Sequence, residues 1–497
     1  MTNPFKERIR VRFAPSPTGF LHIGGLRTAL YNELLARHFN GDFILRIEDT
    51  DRTRIVEGGV ENICRSLQAT GVIPNEGIWL DEKGELFERG DYGPYLQSAC
   101  RERHLEQAEK LVTMDKAYYC FCSTEHLDDL RKKQQAKKQP TMYDGSCRKL
   151  DPTEARKKVE SGESHVIRLK LPKHGLISFN DIIRGKVTFD WSVIDDQVII
   201  KSDGFPTYHL AATSDDNHMA ISHVLRGEEW VSSTPKHLFI YEAFGWKIPQ
   251  FAHLPLLLNK DKSKLSKRQS DVATEDYLKN GYLPEALLNF VALLGWNPSA
   301  EREIYSHDEL VELFSVEKIN HSGAVFNLEK LDWLNSQYIK QLPKKKYLKL
   351  ARTYLETAIT DDAYIDRCLL MLSDRIVRFG NVTDLAKDFL DLKKDYSGVS
   401  LTWKKQTTED ATEKLEALKE LLESLSADDV AKMEKSESAI KSLILERGWT
   451  NGETLWPLRV ALSGQEKSPS PFELLAIYGK DRSLGLLENA LKHLRAS

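Results

Sequence analysis

The N-terminal segment carries the pattern that most restricts the possible folds. Two apolar runs rich in β-branched and aromatic residues, 9–13 (IRVRF) and 43–47 (FILRI), are typical of short buried strands. Between them, a glycine turn leads into residues 25–39 (GLRTALYNELLARHF), whose leucines fall on one helical face. A strand, a helix and a second strand in this order predict a parallel sheet covered by helices. In such sheets phosphate ligands bind at the carboxyl ends of the strands, near helix N-termini.

Further along the chain the patterning changes. Strand-like runs at 165–171 (HVIRLKL) and 185–191 (GKVTFDW) follow a cysteine cluster, which indicates an inserted domain. Sheet-type patterning returns at 194–201 (IDDQVIIK) and continues through 206–211 (PTYHLA). From about residue 340 onward, amphipathic helix patterns predominate.

The expected fold is therefore α/β: a Rossmann-type parallel-sheet domain with an inserted α+β domain, followed by an all-α region. Pro284 opens the helix pattern of PEALLNFVALLG and Gly295 closes it, as helices prefer. The expected segments are 1–104 and 193–258 for the two halves of the Rossmann-type domain, 105–192 for the insert, 259–338 for a loop and helical domain, and 339–497 for the all-α region.

Composition excludes several classes of protein. The 497 residues are 41% apolar and 29% charged, which is ordinary for a globular protein and unlike collagen, a coiled coil or a disordered chain. No apolar run approaches the length of about 18 residues that spans a bilayer, and the N-terminus lacks a signal-peptide pattern. Six cysteines do not make a disulfide scaffold, so we expect a cytoplasmic protein. Because the net charge is −4, any contact with nucleic acid must come from local basic patches.

The strongest motif is the string RFAPSPTGFLHIGGLRT at 12–28. Its prolines stiffen the turn, and its glycines allow the backbone to approach a ligand closely. His22 stands just ahead of the predicted helix, so its imidazole and the free N–H groups of the first helical turn can face one phosphate chain. A structural turn with a chance histidine is the plain alternative, which the length of the string disfavours.

A second motif is KLSKR at 264–268. Lys264 and Lys267 stand three residues apart on a loop, so both can reach a polyphosphate and neutralise charge that develops on it. Lysine-rich loops are usually only solvated, but the combination with an upstream histidine–glycine turn favours a nucleotide site.

Together the two motifs resemble the nucleotide-binding motifs of class I aminoacyl-tRNA synthetases. Other stretches narrow the resemblance to glutamyl-tRNA synthetases of the bacterial and organellar type: LRIEDTDR (45–52), PTYHLA (206–211), HVLRGEEW (223–230), LLNFVALLGW (287–296), KLDWLN (330–335), WPLRVALSG (456–464) and SPSPFELLAIYGK (468–480). The resemblance implies activation of glutamate by ATP with Mg²⁺, and transfer of the glutamyl group to tRNA. It also implies that the insert grips the tRNA acceptor end, that the 259–338 domain contacts the stem, and that the all-α region binds the anticodon.

For ATP and the chemical step, the resemblance implies binding residues and catalytic groups. His22 contacts the phosphates, while Lys264 and Lys267 steady the departing pyrophosphate, and these three are the expected catalytic residues. The full expected set for ATP is His22, Gly24, Gly25, Leu257, Lys264 and Lys267.

For glutamate, the pocket must separate an acid from an amide of nearly the same shape, which needs charge and hydrogen bonding. An arginine does this because its fork binds a carboxylate in a bidentate way. The expected glutamate-binding residues are Arg12, Ala14, Ser16, Glu48, Tyr208 and Arg226, with Glu48 on the substrate ammonium group. Trp230 is expected to wall the nucleotide side. This chain has Ala212 where many relatives have an asparagine, which puts one ligand contact in doubt.

The cysteine cluster leaves two possibilities open. Cys120, Cys122 and Cys147 supply three thiolates, and some relatives hold a structural Zn²⁺ here. Lys149 stands at one fourth-ligand position and cannot ligate while protonated, whereas Tyr143 matches a pattern with a tyrosine ligand. The alternative is three buried free thiols that kept the geometry without the metal.

The expected partners are tRNA(Glu), L-glutamate and ATP, with no membrane and with a monomeric chain. The basic runs 131–138 (RKKQQAKK) and 340–349 (KQLPKKKYLK) suit phosphate contacts, which give affinity rather than base specificity. The sequence leaves open whether tRNA(Gln) is also charged.

Four other functions compete with this interpretation. Glutaminyl-tRNA synthetase shares the catalytic motifs, but its anticodon-binding part is built of β-barrels, unlike the helical region expected here. A tRNA-modifying relative lacks that part altogether, and small-molecule nucleotidyl transferases have no reason to carry it. An inactive RNA-binding paralogue is disfavoured because His22, Lys264 and Lys267 are intact.

Overall fold

The structure is a computed structural model, described over residues 8–265, 273–299, 301–391 and 394–496. The chain forms two compact units. The first comprises Met1–Leu278 and Pro284–Leu331, and the second comprises Lys279–Leu283 and Asp332–Ser497.

The first unit contains all the strands of the described chain. The strands are β1 (Arg10–Phe13), β2 (Asp42–Leu45), β3 (Glu76–Leu80), β4 (Leu86–Arg89), β5 (Ala117–Cys120), β6 (Val166–Leu169), β7 (Leu176–Asp181), β8 (Gly185–Asp190), β9 (Val198–Ile200), β10 (His223–Gly227), β11 (Gln250–Leu254), β12 (Leu257–Leu258) and β13 (Ala324–Val325).

Helices accompany these strands along the chain. They are α1 (Ile23–His38), α2 (Gly59–Thr70), α3 (Arg101–Thr113), α4 (Thr124–Ala136), α5 (Pro152–Glu160), α6 (Tyr208–His218), α7 (Thr234–Phe244), α8 (Thr274–Lys279), α9 (Pro284–Ala292), α10 (His307–Leu313) and α11 (Leu328–Lys340). Short 3₁₀ helices span Gln97–Cys100, Trp191–Val193, Glu228–Ser233 and Val316–Lys318.

The central strands of the first unit are parallel. β2 pairs with β1 and β3 in parallel, and β10 pairs with β11 in parallel. The Ser222 N–H donates to the Arg10 carbonyl at 2.9 Å, which sets the start of β10 beside β1. The strands form two four-stranded sheets, ordered 1-2-3-4 and 10-11-7-8, with β4 antiparallel at the edge of the first. This arrangement confirms the predicted parallel α/β fold.

The predicted insert shares strands with its surroundings. Its β5 and β6 form an antiparallel sheet with β9, which lies beyond the predicted end of the insert at residue 192. The hairpin of β7 and β8 joins β11 instead, through the pair Phe251 and Asp181. One end of the insert is thus built into the sheet that carries β10 and β11.

One prediction of local structure was wrong. The segment 206–211 (PTYHLA) was expected to continue the sheet, but the chain turns at Thr207 and starts α6 at Tyr208. Residues of α6 are buried from His209 to Asp216 without a polar face. Because no apolar stripe alternates with a solvent face, the helical period does not show in the sequence. The α9 helix begins at Pro284 as predicted and ends at Ala292, three residues before Gly295.

The second unit is helical throughout its described residues, as expected for the C-terminal region. After α11, it contains α12 (Lys344–Thr353), α13 (Asp362–Leu372), α14 (Val382–Leu390), α15 (Thr408–Ser424), α16 (Ala427–Val430), α17 (Met433–Arg447), α18 (Asn451–Ser463) and α19 (Pro471–Ala496), with a 3₁₀ turn at Phe379–Asn381. The long α19 is broken at Gly479, whose φ of 68° and ψ of 179° are not helical.

Side chains of the second unit fix where its helices begin. Thr407 and Asp410 form a capping box at the start of α15, in which each side chain accepts a backbone N–H of the other residue. The segment 279–283 is held to the rest of this unit, because the Leu283 N–H donates to Asn335 Oδ1 at 2.8 Å. None of the helices in the described part of the chain is long and apolar enough to cross a membrane.

Candidate functional site

A cavity of about 1170 Å³ lies beyond the carboxyl ends of β1, β2 and β10. This is where a parallel α/β sheet is expected to bind its ligand. The cavity is lined by every residue of the described chain that was predicted to bind ATP or glutamate: Arg12, Ala14, Ser16, His22, Gly24, Gly25, Glu48, Tyr208, Arg226, Leu257 and Lys264. Trp230 lines it as well, whereas Lys267 lies outside the described residues.

The histidine–glycine turn opens α1 at this cavity. His22 is the N-cap, and its Nδ1 accepts the Gly25 N–H at 3.2 Å. A Cβ on Gly24 would lie 3.0 Å from the His22 ring, so the glycine leaves room for the imidazole in this position. The first turn of α1 contains no acidic residue, and its N-terminal N–H groups favour an anion.

The lysine loop approaches the cavity from the other side. The loop is closed at Asn259, whose N–H donates to the Ser263 carbonyl at 2.8 Å, and Lys262 takes a left-handed φ of 65°. Lys264 pairs with Leu258 in a β-bridge, and its side chain is exposed. The structure therefore brings Lys264 and the His22 turn to one cavity.

Arg12 and Glu48 are joined at the cavity floor by two residues that the sequence analysis did not select. Arg12 Nε donates to Asp216 Oδ1 at 2.9 Å, and Arg46 Nη1 donates to the same oxygen at 2.7 Å. Arg46 Nη2 donates to Glu48 Oε1 at 3.0 Å. These four side chains are buried, so their charges interact strongly. They form an alternating row of guanidinium and carboxylate groups.

The pKa values of Glu48 and Asp216, the two carboxyl groups in this row, are shifted in opposite directions. Burial raises the pKa of Glu48 above 4.5, and the nearby Arg46 and Arg12 do not fully offset it. Burial also raises the pKa of Asp216, but its ion pairs with Arg12 and Arg46 outweigh the burial and hold the pKa below 3.8. Asp216 is therefore the firmly ionised partner, and Glu48 is the carboxyl group that a cationic ligand would stabilise.

Asp215 lies next to the row, with its Oδ2 at 4.0 Å from Arg46 Nε. Its carboxylate accepts from Gln97 Nε2 at 2.8 Å, Arg103 Nη2 at 2.7 Å and His104 Nε2 at 2.8 Å. Burial raises its pKa, but His104 and the arginines lower it to about 2. Arg46 belongs to the motif LRIEDTDR, so the sequence could have indicated its role. Asp215 and Asp216 lie in α6, which the sequence pattern did not predict to be a helix.

Arg226 also lines the cavity, but it has a different set of partners. Its Nη1 donates to Tyr208 Oη at 3.0 Å, and the Tyr208 ring packs on Trp230 with ring centroids 4.1 Å apart. Burial raises the pKa of Tyr208, although Arg226 opposes the shift, so the phenol keeps its proton. Since its oxygen accepts from Arg226, Tyr208 can donate that proton into the cavity. Ala212, the departure noted in the sequence, is buried in α6.

The predicted metal ligands come together in the insert. The Cys120, Cys122 and Cys147 sulfur atoms lie within 4.8 Å of one another. Tyr143 Oη is 3.3 Å from the Cys120 sulfur and 3.4 Å from the Cys122 sulfur. The three thiol sulfurs are of the type that a structural Zn²⁺ prefers, and the phenol oxygen raises the number of donors to the four that such a site takes.

The predicted basic runs fall on helices. Residues 131–138 lie on and just after α4, which has no buried residue, so their cations are solvated. Lys344, Lys345 and Lys346 begin α12 and are exposed. Both runs are accessible to a polyanion.

Comparison with known proteins assigns each part of the chain. Residues 8–333 match the model of the class I tRNA synthetase catalytic domain for E and Q, and residues 346–491 match an anticodon binding domain. Glutamate–tRNA ligase of Alkaliphilus metalliredigens is 44% identical over 98% of this chain and 100% of that protein. The enzyme of Clostridioides difficile is 42% identical over 96% of this chain and 97% of that protein.

Solved structures agree with the sequence relatives. A glutamate–tRNA ligase of Elizabethkingia meningosepticum, crystallised in complex with its amino acid, superimposes with a TM-score of 0.88 and 35% identity. That match covers 98% of this chain and 100% of the other. The glutamate–tRNA synthetase of Elizabethkingia anophelis gives a TM-score of 0.86 at 34% identity, over the same shares.

Proposed function

The chain belongs to the glutamate–tRNA ligase family of class I tRNA synthetases, and from this membership we propose how its cavity holds two substrates. The activity of the chain is the ATP-dependent ligation of glutamate to tRNA. The α-carboxylate of glutamate attacks the α-phosphate of ATP, and pyrophosphate leaves. In the second step the 2′-OH of the terminal tRNA ribose attacks the carbonyl carbon of the adenylate, and AMP leaves. The protein contributes positioning and charge neutralisation to both steps.

Glutamate binds between the charged row and Arg226. Glu48 receives the substrate ammonium group, because burial raises the pKa of its carboxyl group more than Arg46 and Arg12 lower it, and a further cation would stabilise the charged form. The side-chain carboxylate lies toward Arg12, Tyr208 and Arg226, and Ala14 and Ser16 complete the pocket. This placement rests on one observation: the guanidinium of Arg226 is buried and forms no ion pair with any described carboxylate. An anionic side chain would balance that charge, whereas the neutral amide of glutamine would not.

ATP binds at the histidine turn, entering as its Mg²⁺ complex. Its phosphates face His22 and the N-terminus of α1, with Gly24 and Gly25 leaving room for the chain of phosphates. Leu257 lines the nucleotide side. Lys264 from the described loop, with Lys267 beyond it, steadies the pyrophosphate as charge develops on it. Mg²⁺ bound to those phosphates shares the same charge.

A structural Zn²⁺ is held by Cys120, Cys122, Cys147 and Tyr143. The thiol and phenol groups already contact one another without the ion, which a loosely packed set of free thiols would not require. The ion would tie β5 to the segment around Tyr143 and would take no part in the chemical step. Elemental analysis of protein purified without chelators should give about one equivalent of zinc. A content near zero, with intact activity, would assign the cluster to free thiols.

The second unit reads the anticodon of tRNA(Glu), which the match to an anticodon binding domain supports. The exposed basic runs on α4 and α12 contact tRNA phosphates. We expect a monomer that works in the reducing cytoplasm, where six unpaired cysteines are stable. Charging of purified tRNA(Glu) and tRNA(Gln) side by side determines whether the second tRNA is also a substrate.

Isotopic exchange between ATP and pyrophosphate tests the assignment of the cavity. With glutamate present, exchange is expected only when tRNA is added, as in the family. Glutamine in place of glutamate should give no exchange above background. No exchange with glutamate and tRNA would reject the proposed site, and equal exchange with glutamine would reject the role of Arg226.

A further inference from the structure

All five N–H groups of Arg226 are engaged inside the protein. Nε donates to His253 Nε2 at 3.0 Å, and Nη1 donates to Tyr208 Oη at 3.0 Å and to His237 Nδ1 at 3.1 Å. Nη2 donates to the Trp230 carbonyl at 3.3 Å and to Thr234 Oγ1 at 2.9 Å. Every one of these acceptors is neutral. The guanidinium is therefore fixed in direction while its positive charge stays uncompensated by its direct contacts.

The histidines around Arg226 are neutral because of their surroundings. Burial lowers the pKa of His253, and Asp181 does not fully restore it. Burial and the charge of Arg226 lower the pKa of His237 well below 6.5. His209, whose Nδ1 lies 3.2 Å from His237 Nε2, has its pKa lowered to about 3 by burial and by Lys236 and Arg226. Each ring can therefore offer a lone pair to a donor, and Arg226 uses two of them.

One of these lone pairs depends on a buried carboxylate. His253 Nδ1 donates to Asp181 Oδ2 at 2.6 Å, and this places the ring proton on Nδ1 and leaves Nε2 unprotonated. Asp181 and His253 have no exposed side-chain surface. Asp181 also accepts the N–H groups of Ile183 and Arg184 at 3.0 and 2.9 Å, so the turn of the β7–β8 hairpin fixes its carboxylate. The hairpin thus sets the tautomer of His253.

We propose that Asp181 and His253 are positioning residues for glutamate selection. By accepting the hydrogen bond from His253 Nδ1, Asp181 keeps Nε2 of the same ring unprotonated. Nε2 then accepts the Arg226 Nε–H and fixes the orientation of the guanidinium. The imidazole ring separates the Asp181 carboxylate from the guanidinium, so the two charges are not in direct contact. A carboxylate in direct contact with Arg226 would hold it equally well but would neutralise it, and the discrimination between glutamate and glutamine would be lost. This inference rests on the proposed function of the cavity and adds two residues to it.

Asp181→Asn tests the tautomer without removing volume. The amide oxygen can still accept the turn N–H groups, but the amide N–H₂ faces His253 Nδ1 and shifts the ring proton to Nε2, opposite the N–H of Arg226. We expect the KM for glutamate in tRNA-dependent exchange to rise by about 10- to 100-fold. The KM for ATP should stay within about twofold, because the His22 turn is untouched. Discrimination against glutamine should fall in parallel.

Three further variants separate positioning from folding. His253→Gln keeps an acceptor oxygen near the place of Nε2 and should recover much of the glutamate KM relative to His253→Leu, which has none. Asp190→Asn removes an exposed carboxylate from the same hairpin and should behave like the wild type.

The outcomes distinguish this inference from the proposed function. If the wild type itself gives no exchange with glutamate and tRNA, the proposed function fails. If the wild type exchanges but Asp181→Asn changes neither the glutamate KM nor the selectivity, the positioning role is overturned. If Asp181→Asn raises the KM values for ATP and glutamate equally, and His253→Gln is no better than His253→Leu, the two residues serve folding alone. That result would also overturn the positioning role.

Discussion

Charged side chains around the cavity differ in what balances them. Arg12 and Arg46 share Asp216, and Glu48 closes that row, so these charges largely compensate one another. Arg226 is held by neutral groups instead. A buried ion pair gains little stability, because desolvation consumes most of the attraction. We propose instead that the row holds the ammonium and α-carboxylate groups of glutamate, and that the side-chain carboxylate of glutamate balances the charge of Arg226.

Replacement of Arg226 tests that assignment. Arg226→Gln removes the charge but keeps hydrogen-bond donors, so we expect the preference for glutamate over glutamine, as the ratio of kcat/KM values, to fall by about 100-fold or more. Arg226→Lys is the matched control, because it keeps the charge, loses the planar fork and should retain part of the preference. An unchanged ratio in Arg226→Gln would show that selection lies elsewhere.

The raised pKa of Glu48 predicts a pH dependence. Glu48 is charged only above its pKa, so its proposed attraction for the substrate ammonium group is lost as the pH falls through that pKa. Because the pKa lies above 4.5, the KM for glutamate should begin to rise in mildly acid solution, by about tenfold per pH unit below the pKa.

Glu48→Gln provides the control for this titration. Glutamate has its own titratable carboxylate, and whatever pH dependence remains in Glu48→Gln belongs to the substrate or to other groups. Steady-state kinetics of both proteins between neutral and acid pH, with saturating ATP, give the comparison. Identical profiles for the two proteins would remove Glu48 from ammonium binding.

At the scale of elements, the sequence predicted the helices and strands whose apolar residues stand out from polar or turn residues around them. β1, α1 and β2 were expected from alternating apolar and turn residues, and they form with shifts of one or two residues at their ends. The cavity residues on these elements were predicted from the resemblance. α6 was missed because it is buried on all sides, and with it Asp215 and Asp216. The Asp181–His253 contact joins residues 72 positions apart, and no local pattern announces such a pair.

The capping box of α15 gives a prediction at the same scale. Thr407→Ala leaves the Asp410 N–H without its side-chain acceptor, which lies at 3.1 Å, and should destabilise the second unit by about 1 kcal/mol. Thr407→Ser keeps the hydroxyl and is the matched control. Thermal unfolding followed by circular dichroism at 222 nm, where helices dominate the signal, measures the difference. Equal midpoints for both variants would mean that the cap adds nothing to stability.

At the scale of the whole molecule, each unit has its own buried core, so we expect calorimetry to resolve two unfolding transitions. The proposed glutamate and ATP site lies in the first unit, so these two ligands should raise the midpoint of one transition. Thr407→Ala should lower the other one, by about 2 to 4 °C for a unit of this size. A single transition that responds to both changes would contradict the expectation.

The path of the chain through the units affects how the protein can be divided. The backbone enters the helical unit at Lys279, returns at Pro284 and leaves again for good at Asp332. A recombinant fragment that stops at residue 331 therefore keeps five residues of the other unit and removes Asn335, on which Leu283 depends. Limited proteolysis is affected in the same way, because a single cut of the backbone cannot release either unit with all of its residues. Engineering that exchanges the whole helical unit between relatives therefore needs three junctions instead of one.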